Sequence, residues 1–294
     1  MCGFFVTNVL TSKTQIINNC STLMSRGPDS QNFKSYENFN IKMQHYRLSI
    51  LDEKNGIQPM EDNQKNLSIV FNGLIYNYKD LKERLQKKFN SKFLNNSDTE
   101  VILEAYKAWG TNLLYELDGM FSFVIYDKKE KKLFIARDRF GEKPLYFSFL
   151  GDNFFLSSDA KSIQNFVQSD ISKLSLAQYL FYGYIPSPNT IYEKIEKLCP
   201  GKYLIYNLLE NTYQQKEFFN IFSLKQKYEY DKNTNQKLKE LIETTTKNRS
   251  VTDFDTGSFL SGGIDSSIIS YSLSKIKGQD LNTFSCGFEN REYN

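Results

Sequence analysis

The second residue of the chain, Cys2, has a side chain that could act as a nucleophile. The chain opens Met1-Cys2-Gly3, and we expect Met1 to be removed because the next residue is small. The mature protein would then carry a thiol and a free α-amine on one residue. The thiol, with an ordinary pKa of about 8.5, needs a base, and an α-amine with a pKa of about 8 can supply one. Cys2 is therefore either a nucleophile with its own base or a small residue that starts a buried strand.

The single histidine, His45, narrows the choice of base. A Cys-His or Ser-His-Asp arrangement could be built only around this residue. His45 lies in the alternating segment 43–50, which is typical of a half-buried strand. We interpret His45 as such a strand residue and favour the terminal amine as the base.

A second candidate for chemistry is the pair Asn72-Gly73, which follows the predicted strand 67–71. An asparagine amide and the next backbone N–H can converge on one oxygen, as in an oxyanion hole for acyl transfer. Taken alone, the pair is more typical of a hairpin turn. Arg47 and Asp98 could hold the carboxylate and the ammonium of an amino acid, although each alone is typical of a surface or capping residue.

A loop rich in glycine and serine could bind phosphate near the C-terminal end of the sequence. It lies between a predicted strand, 254–260, and a segment with helical spacing, 268–276. Glycines let backbone N–H groups approach an anion, and a helix N-terminus adds partial positive charge. Asp265 would repel a bare phosphate and so fits beside a magnesium ion. The loop consists of Ser261, Gly262, Gly263, Ile264, Asp265, Ser266 and Ser267.

Two groups of elements must position these residues. Up to residue 206, antiparallel strand patterns alternate with helices such as 98–109, which indicates an α+β layered domain. Residues 207–235 are polar and irregular, as in a linker. From residue 236 a helix is followed by strand, glycine loop, helix and strand, which begins a parallel α/β sheet. About sixty residues cannot complete such a sheet with both faces covered, so we expect a truncated or split version of a longer protein.

The composition argues against several classes of protein. The net charge is only +3 and the lysines are scattered among acids, which does not favour nucleic acid as a partner. The four cysteines show no CxxC pair and fit neither a zinc site nor a disulfide framework. We find no signal peptide and no apolar run of membrane-spanning length. The expected location is the cytoplasm, where reducing conditions would keep Cys2 a free thiol.

Several short segments of the chain, which include Cys2, Arg47, Asn72-Gly73, Asp98 and the loop from Ser261 to Ser267, together resemble the glutamine-hydrolysing asparagine synthetases, which are class II glutamine amidotransferases. The segments occur in the family's order and span nearly the whole chain, so the set is specific although each segment is short. They are Met1-Cys2-Gly3, Arg26-Gly27-Pro28-Asp29, Arg47-Leu48-Ser49-Ile50, Asn72-Gly73 with Ile75-Tyr76-Asn77, Ser97-Asp98-Thr99-Glu100, Leu117-Asp118-Gly119-Met120-Phe121, Ala136-Arg137-Asp138-Arg139-Phe140-Gly141 with Lys143-Pro144-Leu145-Tyr146, and the loop from Ser261 to Ser267.

The resemblance implies two domains. Residues 2–206 would form an α+β N-terminal-nucleophile hydrolase sandwich (αββα), with two antiparallel sheets between helical layers. Residues 207–235 would link it to residues 236–294, the incomplete beginning of an α/β parallel-sheet ATP-pyrophosphatase domain.

The resemblance also implies a reaction. Cys2 would attack the side-chain amide of glutamine, giving a thioester and ammonia, while Asn72 and Gly73 hold the oxyanion. Arg47 would hold the α-carboxylate of glutamine, and Asp98 its α-amine. The other residues of the glutamine pocket would be Leu48, Ser49, Ile50, Leu51 and Leu74.

In the second domain, the resemblance implies that ATP adenylates an acid, usually aspartate, and that ammonia arriving through an internal tunnel displaces AMP. The loop from Ser261 to Ser267 would cradle the pyrophosphate, with Asp265 near Mg²⁺ and with Leu260 and Cys286 flanking the adenosine. The implied partners are glutamine, ATP and aspartate or another carboxylic acid, and a homodimer is left open.

Two departures from the family pattern bear on activity. Leu74 stands where the family usually has Glu, which should weaken glutamine binding unless a backbone carbonyl holds the amine. The family's second loop, Ser-Gly-Glu-Gly-x-Asp-Glu, does not occur before Asn294, so we expect from this chain glutamine hydrolysis at most and no amide synthesis. Two alternatives are left open: an amidotransferase for another acid, such as a carboxylated sugar, and a fragment with glutaminase activity only or none.

Overall fold

The computed structural model describes residues 1–224, 230–278 and 281–289 of the chain. These residues belong to two units, Met1–Leu224 and Lys225–Asn294. In chain order the helices and strands of the first unit are β1 (Gly3–Thr7), α1 (Lys13–Asn19), β2 (Ser30–Tyr36), β3 (Ile41–Arg47), β4 (Met60–Glu61), β5 (Leu67–Ile75), α2 (Tyr78–Phe89), α3 (Asp98–Trp109), α4 (Leu113–Glu116), β6 (Gly119–Asp127), β7 (Lys132–Arg137), β8 (Tyr146–Leu150), β9 (Asn153–Ser157), α5 (Ala160–Val167), α6 (Lys173–Tyr182), β10 (Glu196–Lys197), β11 (Lys202–Asn207) and β12 (Thr212–Glu217).

Two six-stranded antiparallel sheets form the centre of the first unit. One has the order β10-β8-β9-β1-β3-β2 and the other β12-β11-β7-β6-β5-β4. Their inner faces pack together: Phe4 and Met43 of the first sheet share one buried cluster with Val70 and Val124 of the second. Successive side chains point to opposite sides of a strand, so Phe4 faces the second sheet while Phe5 faces the outer side, and strands β1 and β3 are buried on both faces.

Helices cover the outer faces of the sheets. Phe5, which points away from the second sheet, is buried against Ile16 of α1 and Ile163 of α5. On the other side α3 packs against β5, and the first nine residues of α3 are all buried. Helix α3 begins at Asp98 because the Ser97 hydroxyl caps it, accepting a hydrogen bond of 3.3 Å from the Glu100 N–H. The layers therefore follow the order helix, sheet, sheet, helix, which confirms the predicted αββα sandwich.

The first unit continues beyond residue 206, where we predicted that a linker begins. Residues 212–217 pair antiparallel with β11 as the outermost strand β12. Every residue of β12 is more than a third exposed, so backbone pairing with β11 is the main contact that holds it in the sheet, and the Tyr213 ring stacks on Phe149 with 4.5 Å between the ring centroids. Its polar composition is that of an edge strand, and the linker assignment of 207–224 is therefore corrected.

The second unit contains α7 (Thr234–Arg249), β13 (Gly257–Phe259), α8 (Ile264–Lys277) and β14 (Asn282–Phe284). Strands β13 and β14 are parallel, with Phe259 opposite Phe284, and α8 lies between them in the chain. This is the predicted order of strand, glycine loop, helix and parallel strand. In the described parts of both units, no helix is long and apolar enough to cross a membrane.

Candidate active site

A cavity in the first unit, called here the Cys2 cavity, brings together most of the residues predicted for glutamine binding. It lies where β1 begins, where β3 ends and where α3 starts. Ser49 and Asn72 are not part of its wall. The predicted residues that line it are Cys2, Arg47, Leu48, Ile50, Leu51, Gly73, Leu74 and Asp98, and the further ones are Gly56, Gln58, Phe71, Ser97 and Thr99.

The thiol of Cys2 is held by the backbone of Leu48. Its Sγ lies 3.4 Å from the Leu48 carbonyl oxygen, to which it donates, and 3.4 Å from the Leu48 nitrogen, from which it accepts. The pairing of β1 with β3 sets this contact, because Gly3 lies opposite Tyr46. Burial raises the pKa of the Cys2 thiol, while the Leu48 N–H and the charge of Arg47 act in the opposite direction. The thiol therefore needs a base before it can attack a substrate.

The guanidinium of Arg47 shapes the loop that follows β3. It donates hydrogen bonds of 3.0, 2.8 and 2.6 Å to the carbonyl oxygens of Leu51, Asp52 and Glu53. A Cβ at Gly56 would lie 2.4 Å from the guanidinium, so only glycine fits there without displacing it. These contacts with described residues use both hydrogens of Nη2 and one of Nη1, which leaves the Nε–H and one Nη1 hydrogen as donors for a ligand.

Asp98 is buried at the start of α3. It accepts a hydrogen bond of 2.9 Å from the Ile75 N–H. Burial raises the pKa of Asp98 to about 6, although hydrogen bonds from the Ile75 and Thr99 N–H groups and the charge of Arg47 lower it. A buried carboxylate of this kind is best satisfied by a cationic ligand such as an ammonium group.

Asn72 and Gly73 lie inside a strand and not in a turn. Strand β5 runs on to Ile75 and pairs throughout with β6, with Asn72 opposite Ser122. The hairpin interpretation of this dipeptide is therefore wrong, because β6 supplies backbone partners along its whole length. A Cβ at Gly73 would lie 2.2 Å from the Met120 carbonyl oxygen, which explains the glycine. The Asn72 side chain is buried, and its Nδ2 has no hydrogen-bond partner among the described residues.

The segment Arg26-Gly27-Pro28-Asp29 packs against the end of β3 and the loop after it, which form part of the cavity wall. Asp29 accepts a hydrogen bond of 2.7 Å from the Ser49 N–H and donates one of 3.0 Å from its own N–H to the Arg47 carbonyl oxygen. A Cβ at Gly27 would lie 2.3 Å from the Tyr46 backbone. The hydrogen bond to Asp29 thus fixes the backbone of Ser49, and Ser49 does not line the cavity.

Gln58 is a site residue that the sequence did not point to. Its Oε1 accepts a hydrogen bond of 2.6 Å from the Phe71 N–H, and its Nε2 donates one of 3.3 Å to the Thr99 hydroxyl. It therefore connects β5 with the first turn of α3. Gln58 lies in an irregular stretch between β3 and β4, where no periodic pattern could have marked it.

In the second unit, the predicted phosphate loop lies between β13 and α8, at the carboxyl end of a parallel strand. Gly262 has a positive φ of 83°, and a Cβ there would meet no atom within 4 Å, so the loop is open on that side. The Ser266 hydroxyl donates to the Gly263 carbonyl oxygen at 3.1 Å and accepts from the Ser261 N–H at 3.3 Å. A loop held in this way before a fourteen-residue helix fits an anionic ligand.

Leu260 and Cys286 follow the ends of two neighbouring strands, β13 and β14. The Leu260 N–H donates to the Phe284 carbonyl oxygen at 2.8 Å, and Ser285 bonds back to Leu260 through its hydroxyl. Cys286 itself is exposed. Asp265 is exposed in the first turn of α8, and nowhere in the described ranges do three or more His, Cys, Asp or Glu side chains group as they would around a metal ion. A single carboxylate is nevertheless compatible with Mg²⁺ that is held mainly by nucleotide phosphates and water.

Comparison with known families identifies the family to which the chain belongs. A family model for a glutamine amidotransferase domain matches residues 1–219. The chain belongs to the glutamine amidotransferase family. A second model, for asparagine synthase, matches residues 237–294 of the chain. The order of the two matches is the one predicted for the glutamine-hydrolysing asparagine synthetases, and it confirms that resemblance.

Curated relatives of the chain include two that are named glutamine-hydrolysing asparagine synthetases and one that has a different name. Asparagine synthetase [glutamine-hydrolyzing] 1 of Bacillus subtilis is 35% identical over 92% of this chain and 42% of its own length. Putative asparagine synthetase [glutamine-hydrolyzing] 2 of Methanocaldococcus jannaschii is 35% identical over 90% of this chain and 55% of its own length. Amidase chry2 of Gibberella zeae is 29% identical over 94% of this chain and 43% of its own length. The chain thus spans about half the length of the curated relatives it matches.

Two solved structures share the fold of the amidotransferase. The glutamine phosphoribosylpyrophosphate amidotransferase from B. subtilis, complexed with ADP and GMP, aligns over 100% of this chain and 68% of its own, with a TM-score of 0.52 and 17% identity. A structure described as the allosteric regulatory enzyme of purine biosynthesis aligns over 100% and 67%, with a TM-score of 0.53 and 17% identity. At this identity the likeness concerns the fold alone.

Proposed function

We propose that this chain hydrolyses glutamine at Cys2 and that the ammonia serves an ATP-dependent amidation of aspartate by the full-length protein. The observation that carries the proposal is the Cys2 cavity, which combines a thiol, the Arg47 guanidinium, the Gly73 backbone and the Asp98 carboxylate. Such a set matches the reacting amide and both charged ends of one amino acid.

The reaction would begin once Met1 has been removed. The α-amine of Cys2 takes the thiol proton, and the sulfur attacks the side-chain amide carbon of glutamine, forming a C–S bond. The amide oxygen gains the negative charge, which the Asn72 Nδ2 and the Gly73 N–H stabilise. The proton then passes from the α-ammonium to the amide nitrogen, the C–N bond breaks and ammonia leaves. Water cleaves the thioester, which gives glutamate and restores Cys2.

Arg47 and Asp98 would orient glutamine through its two charged ends. The free N–H donors of Arg47 would bind the α-carboxylate, and Asp98 would bind the α-ammonium. Among the described residues Asp98 is the sole acid in the wall of the cavity, and Leu74, beside Gly73, adds an apolar surface. We infer that amine binding depends on Asp98 more heavily than in relatives that have Glu at this position.

The second unit would contribute part of an ATP site. Backbone N–H groups and hydroxyls of the loop from Ser261 to Ser267 would bind the pyrophosphate, and Asp265 would hold Mg²⁺ near it. Leu260 and Cys286 would flank the adenosine. ATP would activate the acceptor acid by adenylation, and the ammonia would displace AMP.

A second candidate function differs only in the acceptor. The match to Amidase chry2 covers as much of this chain as the matches to asparagine synthetases, although this relative is not named an asparagine synthetase. A carboxylated small molecule other than aspartate, such as a sugar acid, is therefore the alternative acceptor. Measuring AMP release from ATP with a panel of carboxylic acids and the full-length protein would decide between them.

The primary test is mass spectrometry of the chain after reaction with a diazo-ketone analogue of glutamine. We expect loss of Met1 and one adduct that peptide mapping places on Cys2, together with glutamate release from glutamine. The exposed Cys286 serves as an internal control and should stay unlabelled at the same concentration. A processed Cys2 that remains unlabelled, or glutamate release that persists in Cys2→Ala, would contradict the proposal.

A further inference from the structure

Phe71, the residue before the Asn72-Gly73 pair, lies where strand pairing on one side of β5 has stopped. Strand β4 pairs with β5 only at Met60 opposite Ile69 and at Glu61 opposite Ser68. Continued to the next positions, this register would place Gln58 opposite Phe71. In an antiparallel ladder the N–H and C=O of one residue point to the same side. At Phe71 this is the side of β4, because its N–H bonds to Gln58. Both groups therefore need partners other than β6.

Two buried side chains provide these partners. The Gln58 Oε1 accepts from the Phe71 N–H at 2.6 Å, and the His45 Nε2 lies 3.1 Å from the Phe71 carbonyl oxygen. Gln58 is 4% exposed and His45 is not exposed at all. A carbonyl oxygen can only accept, so the His45 Nε2 carries the hydrogen. Burial lowers the pKa of His45 to about 4, so the imidazole is neutral at pH 7.

Both partners reach Phe71 from other parts of the fold. His45 lies in the middle of β3, opposite Phe4, and so crosses from the first sheet to the second. Gln58 also donates to the hydroxyl of Thr99, the residue after Asp98. The peptide of Phe71 is therefore tied to the sheet that carries Cys2 and to the helix that carries Asp98.

Burying the imidazole of His45 costs free energy, which indicates that this side chain has a role besides packing. The His45 Nδ1 is buried with no hydrogen-bond partner among the described residues, which an apolar side chain at this position would avoid. Departures of this kind from ordinary core composition are expected at functional sites.

We propose that His45 and Gln58 are positioning residues of the glutaminase site. They fix the Phe71 peptide, and through it they aim the Asn72 amide and the Gly73 N–H at the developing oxyanion. The proposal rests on the glutaminase function proposed above.

The test compares variants that remove each contact with variants that keep part of it. His45→Leu and Gln58→Met remove the hydrogen bonds to Phe71, whereas His45→Gln keeps an N–H donor of similar reach. Tyr36→Phe is the matched control, because the Tyr36 hydroxyl also bonds across the two sheets, to Ser68 of β5. We expect kcat for glutamine hydrolysis to fall about 10- to 100-fold in His45→Leu and Gln58→Met, with KM within about twofold. His45→Gln should recover most of this loss, and Tyr36→Phe should show none.

Alkylation of Cys2 by iodoacetamide separates positioning from general damage, because that reaction develops no oxyanion. We expect its rate to be unchanged in all four variants. Unchanged kcat in His45→Leu and Gln58→Met, or alkylation that slows in parallel with kcat, would overturn the proposal.

Hydrogen exchange at Gly73 and Leu74 gives a readout that does not need glutaminase activity. We expect faster exchange there in His45→Leu and Gln58→Met than in His45→Gln and Tyr36→Phe. If the unaltered chain fails to hydrolyse glutamine, the proposed function fails, and this exchange pattern still decides whether the two side chains fix the strand. Equal exchange in all variants would refute that they do.

Discussion

The carboxylate of Asp98 accepts a hydrogen bond of 2.9 Å from the N–H of Ile75. Ile75 ends β5, the strand that also carries Asn72 and Gly73. The proposed amine-binding group and the proposed oxyanion donors are therefore held by one strand. A shift of this strand would move both ends of a bound glutamine relative to Cys2.

Glutamine binding should weaken in mild acid. Burial raises the pKa of Asp98 to about 6, and only the ionised carboxylate can pair with the α-ammonium of glutamine. We expect KM to be flat above about pH 7 and to rise up to tenfold per unit as pH falls below about 6. KM measured from pH 5 to 8 tests this, with Asp98→Asn as the control that should show a high KM at every pH. A KM independent of pH in the unaltered chain would show that Asp98 does not hold the amine.

The same carboxyl should make the free protein less stable at neutral pH than in mild acid. Its pKa is raised above the ordinary value of 3.8, so its contribution to stability is full below about pH 4 and is lost as pH rises to about 6. Asp98→Asn, whose amide oxygen can still accept from Ile75, should therefore be more stable at pH 7 by about 2 to 3 kcal/mol. Urea unfolding at pH 4 and pH 7 measures this difference. A variant that is less stable than the parent at pH 7 would contradict it.

Much of the fold and of the cavity could be predicted from the sequence. Antiparallel strand patterns interleaved with helices predicted an α+β layered domain, and the resemblance to asparagine synthetases added the arrangement in two sheets; β1 and β3 are buried on both faces, as expected inside such a sandwich. The resemblance to asparagine synthetases named Cys2, Arg47 and Asp98, which now lie on one cavity. These residues stand at the ends of regular elements, where short sequence segments fix local geometry.

What escaped prediction depends on contacts between distant parts of the chain. Gln58 bonds to Phe71 and Thr99, which lie 13 and 41 residues away, so no local pattern could mark it. Asn72-Gly73 has the composition of a turn, but pairing with β6 keeps it extended. The sequence predicts a linker where β12 lies, because an exposed edge strand shows no periodic pattern of apolar residues.

Gly73→Ala should abolish activity through a steric effect. The new Cβ would lie 2.2 Å from the Met120 carbonyl oxygen and 2.8 Å from the Phe121 Cα, both in backbone that cannot move freely. We expect a loss of stability of about 2 to 4 kcal/mol and a loss of glutamine hydrolysis. Gly151→Ala is the control: its φ is 57°, but a Cβ there meets no atom within 4 Å, so it should cost only about 1 kcal/mol. Similar losses in the two variants would contradict the steric explanation.

Leu74→Glu should strengthen glutamine binding. Leu74 lines the Cys2 cavity beside Gly73, and a carboxylate there could share the α-ammonium with Asp98. A charge-assisted hydrogen bond of this kind predicts a KM lower by about tenfold at pH 8, where both acids are ionised. Leu74→Gln, of equal size but neutral, is the control and should change KM much less. An unchanged KM in Leu74→Glu would mean that other groups already satisfy the amine.

Arg47→Lys should damage the site although the charge is retained. One ammonium cannot replace the planar guanidinium, which donates to the carbonyl oxygens of Leu51, Asp52 and Glu53 and would also bind the substrate carboxylate. We expect a KM for glutamine at least about tenfold higher and a melting temperature lower by several degrees. Arg84→Lys is the matched control, because Arg84 does not line the Cys2 cavity and forms a half-exposed ion pair with Glu116 that should contribute little. If Arg47→Lys and Arg84→Lys alter KM and melting temperature to the same small extent, then Arg47 neither shapes the loop nor binds the carboxylate.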